Sequence, residues 1–112
     1  MKDDIIFVRH IMESIKNIED FSSGISKEDF MQSRLKQNAI IRELEIIGEA
    51  SKNLSEGLRN KRNSIEWKLI AGLRDKMIHH YFGIELERVW NVLGKDLPRL
   101  KAEMAKINAG SP

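Results

Sequence analysis

The chain contains no cysteine, and this absence excludes two classes of protein at once. Disulfide-bonded scaffolds and thiolate metal sites are both ruled out, and a reducing compartment fits such a composition. Long apolar runs are missing as well, since the longest ones are far too short to span a bilayer. Residues 1–5 are acidic and lack the apolar core of a signal peptide. We therefore expect a cytoplasmic protein that makes no contact with a membrane.

Sequence motifs for nucleotide and hydrolase chemistry are also absent. The chain has no P-loop, no G-x-G-x-x-G and no G-x-S-x-G, so nucleotide hydrolysis, dinucleotide binding and hydrolase-type serine chemistry lack support. Zinc is not expected either, because His79 and His80 are adjacent rather than four residues apart and no H-E-x-x-H is present. The sequence therefore predicts neither a metal nor a cofactor.

The composition that remains is enough for one domain. The 112 residues are 41% hydrophobic and 32% charged, which is typical of a helical or globular protein with a modest core and too apolar for disorder. The net charge of +2 is too small to indicate nucleic-acid binding on its own. That charge is unevenly spread, because residues 59–76 contain six basic side chains against two acidic ones: Arg59, Lys61, Arg62, Lys68, Arg74 and Lys76 against Glu66 and Asp75.

Apolar residues recur at helical spacing and predict helices through most of the chain. A first helix covers residues 3–21, and the turn at residues 22–24 ends it. Ser26, with Asp29 three residues later, resembles a capping box and begins a helix that we expect to run to about Leu54 as the longest in the chain. Three apolar residues lie off its main stripe, which indicates packing on two sides, by helices of the same fold or by a partner subunit: Leu35, Ile41 and Ile46.

Two further helical segments follow. The basic run at residues 59–63 is expected to be a solvated loop, after which Ser64 caps a helix that carries Trp67 and is closed by Gly83. A glycine and a proline interrupt the last segment, so either Asp96 caps a new helix there or one helix kinks.

This pattern predicts an all-α fold, built as an antiparallel bundle of four to five helices. We expect a single domain over residues 1–108, with a flexible tail at 109–112. His10, in the first helix, has no partner in view and is expected to be structural or simply exposed.

One stretch, residues 72–83, combines a core pattern with chemically active side chains. On an unbroken helix Tyr81 falls on the apolar stripe, and Arg74 falls inside the same stripe. A guanidinium on a core-facing position is costly unless it is paired or opens onto a cleft. His79 would point to nearly the opposite side. The two can share a site only if the helix ends or distorts near Gly83, or if a second chain contributes.

An arginine and a histidine together suit phosphodiester chemistry. Histidine titrates near neutral pH and can take or give a proton, while arginine stays charged and presents a fork of donors to phosphate oxygens. With no metal ligands to generate hydroxide, the nucleophile must come from the substrate, namely the ribose 2′-OH of RNA. Spacing alone leaves two options open: a structural polar network, or a metal-independent endoribonuclease.

The motif and its setting resemble a known family over nearly the whole chain. Arg74-x4-His79-x-Tyr81 matches the R-x4-H-x-Y signature of HEPN-domain ribonucleases of the HepT-like group. Further stretches match in the same order: Glu45-Ile46-Ile47-Gly48-Glu49-Ala50, Trp67, Tyr81-Phe82-Gly83-Ile84, Val89-Trp90 and Asp96-Leu97-Pro98.

This resemblance implies a helical-bundle toxin that cleaves RNA and is paired with a minimal nucleotidyltransferase antitoxin. Family members are typically homodimers in which motifs from two protomers line a shared cleft. Arg74 and His79 would then be catalytic, and Asp75 would help to shape the site. Tyr81 would be the residue to which the partner adds AMP, which silences the toxin.

Several other residues gain candidate roles from the same resemblance. Glu45 and Glu49 are candidates to pair with Arg74 and hold its orientation, and His80 is a further supporting candidate. A site built across a two-fold axis would remove the need for Arg74 and His79 to face each other within one chain, and the off-stripe apolar residues could belong to that interface.

Two other functions stay open at this point. One is a non-catalytic helical module that holds a nucleotide or the nucleotidyltransferase with the same arginine and histidine. The other is plain DNA or RNA binding, which has less support because the basic cluster is small and no recognition helix stands out.

Overall fold

Helices make up almost all of the part of the chain that the structure describes. The computed structural model of the protein describes residues 2–72 and 84–110. Within these ranges the helices are α1 (Lys2–Ser22), α2 (Lys27–Gln32), α3 (Arg34–Lys52), α4 (Glu56–Lys61), α5 (residues 67–72), α6 (Ile84–Asn91), a π-helical turn (Val92–Asp96) and α7 (Leu97–Asn108). These ranges contain no strand, so the predicted all-α class is confirmed.

The helices pack side by side in opposite directions around α1. The backbone N–H and the hydroxyl of Ser55 donate to the two carboxylate oxygens of Asp4, each at 2.7 Å, so the residues that follow α3 lie beside the start of α1. At the other end, Lys101 in α7 lies 2.6 Å from Glu19, near the end of α1. Because α1 packs on both α3 and α7, it runs antiparallel to each of them. This arrangement confirms the antiparallel bundle.

The core lies where the apolar stripes of these helices meet. Its fully buried side chains recur three or four residues apart on α1, α3 and α7, as amphipathic helices require. The largest of them are Phe30, Ile11, Ile18, Ile40, Leu44, Ile47, Leu100 and Met104. Among the described helices, none is both long and apolar enough to cross a membrane.

Local signals at the start of α2 work as predicted. Gly24 adopts a positive φ of 73°, a conformation that favours glycine, and so forms the turn that follows α1. Ser26 is the N-cap, its hydroxyl accepting from the backbone N–H of Asp29 at 3.0 Å, and the Asp29 carboxylate accepts from the Ser26 backbone N–H in return. The predicted capping box is therefore confirmed.

The expectation of one unbroken helix from Ser26 to Leu54 is wrong, because Ser33 divides it into α2 and α3. Ser33 takes an extended conformation, and its hydroxyl accepts from the backbone N–H of Lys36 at 3.1 Å, which caps α3. The side-chain amide of Gln37 donates to two carbonyls at the end of α2, those of Phe30 and Met31, at 2.9 and 3.0 Å. The break therefore leaves these groups satisfied. With 21 residues, α1 is longer than α3 with 19.

The segment between α3 and α5 also differs from its prediction. The basic run is not a solvated loop, because Ser55 caps α4 through the backbone N–H of Leu58 and the helix continues to Lys61. Nor does Ser64 cap α5. The carbonyl of Glu66 accepts the first helical hydrogen bond, from the Ile70 backbone N–H at 3.0 Å, so Glu66 holds the N-cap position.

The last segment is one continuous helical path rather than two capped helices. Asp96 has helical backbone angles and makes no side-chain capping bond, so the alternative in which it caps a new helix is wrong. A π-helical turn takes up the interruption, and Pro98 is tolerated because it lies in the first turn of α7.

The three apolar residues that lie off the main stripe of α3 differ in how deeply they are buried. Ile41 is only 5% exposed and belongs to the core of this chain, so its assignment to a subunit interface is wrong. Ile46 is half-buried, and Leu35 is 78% exposed. The dimer itself stays a prediction, as does the division into residues 1–108 and a tail.

A network of charged groups joins the turn after α4 to α7. The Glu103 carboxylate lies 2.9 Å from the ammonium of Lys106 and 3.7 Å from the guanidinium of Arg62, and the Arg62 and Glu103 side chains are only 11% and 12% exposed. The hydrogen bond from Lys106 lowers the pKa of Glu103, burial opposes this, and the charges of Lys106 and Arg62 and a hydrogen bond with Ser64 lower it further.

Acid should weaken the fold through Glu103. A carboxyl with a lowered folded pKa stabilises the fold above its unfolded pKa of about 4.3, and this contribution is lost as pH falls through the folded value. We expect Glu103→Gln to lower the free energy of unfolding at pH 7 by about 1 kcal/mol, measured by urea unfolding. The difference in the free energy of unfolding between wild type and Glu103→Gln should become smaller toward low pH. The control is Glu19→Gln, which removes an exposed ion pair with Lys101. The prediction would be contradicted if the difference in the free energy of unfolding between wild type and Glu103→Gln did not depend on pH.

Candidate functional site

Most of the predicted site falls in the segment between the described ranges. Arg74, Asp75, His79, His80 and Tyr81 all lie outside the described residues. Their roles, and a composite site made by two protomers, therefore stay predictions. What the structure does describe is the chain up to Gly72 and from Ile84 onward, which includes both predicted supporting glutamates.

Glu45 and Glu49 line the same cleft, which we call the polar cleft. It has a volume of about 470 Å³ and lies between α1 and the C-terminal half of α3. The two glutamates are four residues apart and so share one face of α3. The remaining lining residues are Phe7, His10, Arg42, Ile46, Ala50 and Asn53. The structure thus places in one cleft two glutamates that the sequence offered only as separate candidates to pair with Arg74.

His10 is the residue of the polar cleft that sequence reasoning set aside. It is exposed, as expected, but it faces the cleft that holds Glu45 and Glu49. Its ring packs edge-on against Phe7, with ring centroids 6.1 Å apart and planes at 90°. Nothing in the spacing of the first helix could have revealed this, because the cleft exists only once α1 and α3 have packed together.

A second cleft reaches the edge of the motif segment, and we call it the basic cleft. Its volume is about 840 Å³, and its lining residues are Lys52, Arg59, Glu66, Trp67, Lys68, Leu69, Ala71 and Gly72. Gly72 is the last described residue before the motif, two positions before Arg74. Three cationic side chains face one carboxylate here. The C-terminal end of α3 separates the two clefts, since Lys52 lines one and Asn53 the other.

Trp67 fixes the wall of the basic cleft. Its indole N–H donates to two backbone carbonyls at the end of α4, those of Arg59 and Arg62, each at 3.0 Å. These bonds tie the start of α5 to the end of α4 and so hold Arg59 and Lys68 against the same cleft. Trp67 is half-buried: it packs against the core, and its remaining surface lines the cleft.

The two clefts differ in charge, and this decides what each can bind. The polar cleft sets two glutamates against Arg42 and His10, so it suits a cationic group. The basic cleft has an excess of positive charge and suits an anion. Across residues 2–72 and 84–110, no three His, Asp or Glu side chains are arranged to hold a metal ion.

Comparison with known proteins identifies the family. The family model for ribonuclease HepT-like proteins matches residues 11–107. The chain is 47% identical over 106 residues to a Methanocaldococcus jannaschii protein named "Gamma-glutamylcyclotransferase and putative RNase", a match that covers 95% of this chain and 48% of that one. It is 41% identical over 101 residues to "Probable ribonuclease HepT" of Thermococcus cleftensis, covering 90% and 92%. A "Putative RNase" of Caldanaerobacter subterraneus is 39% identical over 107 residues, covering 96% of both.

These matches differ in how much of each relative they cover. The chain spans about half the length of the Methanocaldococcus protein and nearly the whole length of the other two. No solved structure matches it significantly. Since the family model covers most of the chain and relatives above 30% identity match it almost end to end, the chain belongs to the ribonuclease HepT-like family.

Proposed function

We propose that this protein is a metal-independent endoribonuclease, the toxin of a toxin–antitoxin pair, with Arg74 and His79 as its catalytic residues. The observation that carries the proposal is the intact Arg74/His79/Tyr81 set in a chain of the HepT-like family. Relatives named as ribonucleases support the activity, and a basic cleft beside the motif segment supports RNA as the substrate.

The chemistry needs only the substrate and these two side chains. His79 takes the proton from a ribose 2′-OH, and the 2′-oxygen attacks the adjacent phosphorus. Arg74 donates hydrogen bonds to the phosphate oxygens as negative charge grows on them. The bond between phosphorus and the 5′-oxygen breaks, that oxygen takes a proton from water, and a 2′,3′-cyclic phosphate remains. His79 then releases the proton that it removed to the solvent. No metal is required, because the nucleophile belongs to the RNA.

The polar cleft supports this arrangement by offering a partner for Arg74. Two carboxylates that face one cleft can pair with a guanidinium and fix the direction in which its donors point. We assign Glu45 and Glu49 this positioning role. Asp75 and His80, which flank the catalytic residues in sequence, complete the supporting set.

Silencing is proposed to act at Tyr81. A minimal nucleotidyltransferase antitoxin adds AMP to its hydroxyl, which places negative charge and bulk where the RNA backbone must lie. We also propose that the active form is a homodimer, because a two-fold axis lets the arginine of one protomer and the histidine of the other share a cleft.

The test compares protein purified alone with protein co-expressed with a neighbouring nucleotidyltransferase gene. The first should cleave single-stranded RNA in EDTA and leave 2′,3′-cyclic phosphate ends, identified by mass spectrometry. The second should be heavier by units of AMP and inactive, and Tyr81→Phe should abolish the added mass. A requirement for a divalent metal would contradict the mechanism. Tight ATP binding with no RNA loss under any condition would instead favour the non-catalytic module.

A further inference from the structure

We infer that the basic cleft is the groove through which single-stranded RNA reaches the motif, with Lys52, Arg59 and Lys68 contacting its phosphates and Trp67 stacking on a base. This inference rests on the proposed function for its choice of RNA. It adds a binding surface and a strand type that the motif does not specify. Three features of the cleft carry it: its charge, an arginine whose backbone is held in place and a fixed aromatic ring.

The charge of the cleft favours a phosphate backbone over other ligands. Lys52 and Lys68 are exposed, and among the described residues that line the cleft these two lysines and Arg59 accompany one carboxylate, that of Glu66. Several cations in one groove attract a polyanion and release its counterions on binding.

Arg59 is held at the wall of the cleft. Its backbone carbonyl accepts from the Trp67 indole N–H at 3.0 Å, so the backbone of this residue is fixed beside the ring. Arg59 is half-buried and lines the cleft, and its guanidinium can present a fork of donors to a phosphate.

The ring of Trp67 favours a single strand over a duplex. It is half-buried, its N–H is already used, and its surface lines both the basic cleft and a smaller cleft of about 540 Å³ next to it. Unpaired bases can stack on such a ring, whereas paired bases are stacked within the helix. Alternating cations and an aromatic platform are the pattern by which proteins hold single-stranded nucleic acid. The smaller cleft adds Glu56, Asn60, Asn63 and Ile65, and its two cations are balanced by two carboxylates, so the basic groove ends at Trp67.

Binding must be measured without cleavage, so the test uses the full-length His79→Ala protein in EDTA. Fluorescence anisotropy with a labelled single-stranded RNA of 12 nucleotides gives Kd over a range of salt concentrations. We expect Arg59→Gln combined with Lys68→Gln to raise Kd by about 10- to 50-fold at low salt and to lower the salt slope by roughly 1.4, about 0.7 for each lost phosphate contact. Trp67→Leu should raise Kd by about 5- to 100-fold, with a smaller change in the salt slope than the double variant because both cations remain in the chain.

The matched control removes the same charge elsewhere. Lys16→Gln with Lys95→Gln changes two exposed lysines on α1 and the π-helical turn and should leave Kd within about twofold. Lys68→Gln alone, at an exposed position, provides a variant that does not disturb packing. Equal Kd values and salt slopes for the cleft and control variants would overturn the inference, as would equal affinity for duplex RNA. If wild-type protein cuts no RNA but the cleft variants still lose binding, the proposed function fails and this inference stands.

Discussion

Replacing His79 with alanine is expected to lower the rate of RNA cleavage by about 10²–10⁴-fold, the range that a single general base contributes. The reason is that a ribose hydroxyl is a poor nucleophile until its proton is removed, and with no metal hydroxide in the reaction the imidazole is the group that removes it. Arg74→Ala should cost about 10²–10³-fold through lost stabilisation of the phosphate charge. The measurement is single-turnover cleavage of labelled RNA in EDTA.

Two further readouts separate chemistry from binding and from folding. His79→Ala should bind RNA about as tightly as wild type, because the phosphate contacts that we propose are made by other residues, Lys52, Arg59 and Lys68. Lys16→Gln, on the exposed face of α1, should cleave at the wild-type rate. If His79→Ala cleaves as fast as wild type in EDTA, the histidine is not the base and the mechanism is wrong.

The second large effect is on stability: Phe30→Ala should lower the free energy of unfolding by about 3–5 kcal/mol. Phe30 is fully buried and is the one buried residue of α2, and its ring centroid lies 5.4 Å from that of Trp90 in α6. A helix of six residues has no stability of its own in water. Its capping box and the exposed pair between Lys27 and Glu87 are too weak to hold it in place.

Thermal and denaturant unfolding of the variant provide the measurement. Such a loss corresponds to a fall in Tm on the order of 15 °C for a domain of this size. Leu35→Ala, an apolar truncation at a 78% exposed position, is the control and should stay within about 0.5 kcal/mol of wild type. Hydrogen exchange adds detail, because the α2 amides should lose protection first. A loss below about 1 kcal/mol would mean that α2 is held by something other than Phe30.

Local chemistry explains which parts of the fold the sequence predicted. The turn at Gly24 and the capping box at Ser26 depend on neighbouring residues alone, and both were predicted correctly. The break at Ser33 was missed because no glycine or proline marks it and its carbonyls are satisfied by Gln37, which lies in the next helix. Ile41 was assigned to a subunit interface for the same reason, because the apolar stripe was defined on one helix from Ser26 to Leu54 rather than on the shorter α3.

The candidate site was predictable only as far as its motif. The spacing of Arg74, His79 and Tyr81 is a property of the sequence, and so is the family resemblance that the family model supports. The clefts could not be predicted from the sequence, because each forms where two helices meet. His10 joins the glutamates only through the packing of α1 on α3, and Arg59 gains its position from a hydrogen bond made by α5.

The π-helical turn at Val92–Asp96 also bears on how chain length can vary in this fold. Two successive buried residues there, Val92 and Leu97, are five positions apart, one more than an α-helical turn accommodates. The turn therefore absorbs a one-residue insertion without turning the apolar face away from the core. Loss of exposed Gly94 would restore ordinary α spacing with the same face inward, whereas a deletion within α7 would rotate every later residue by about 100°. We therefore expect this chain to tolerate the loss of one residue here at little cost to the core.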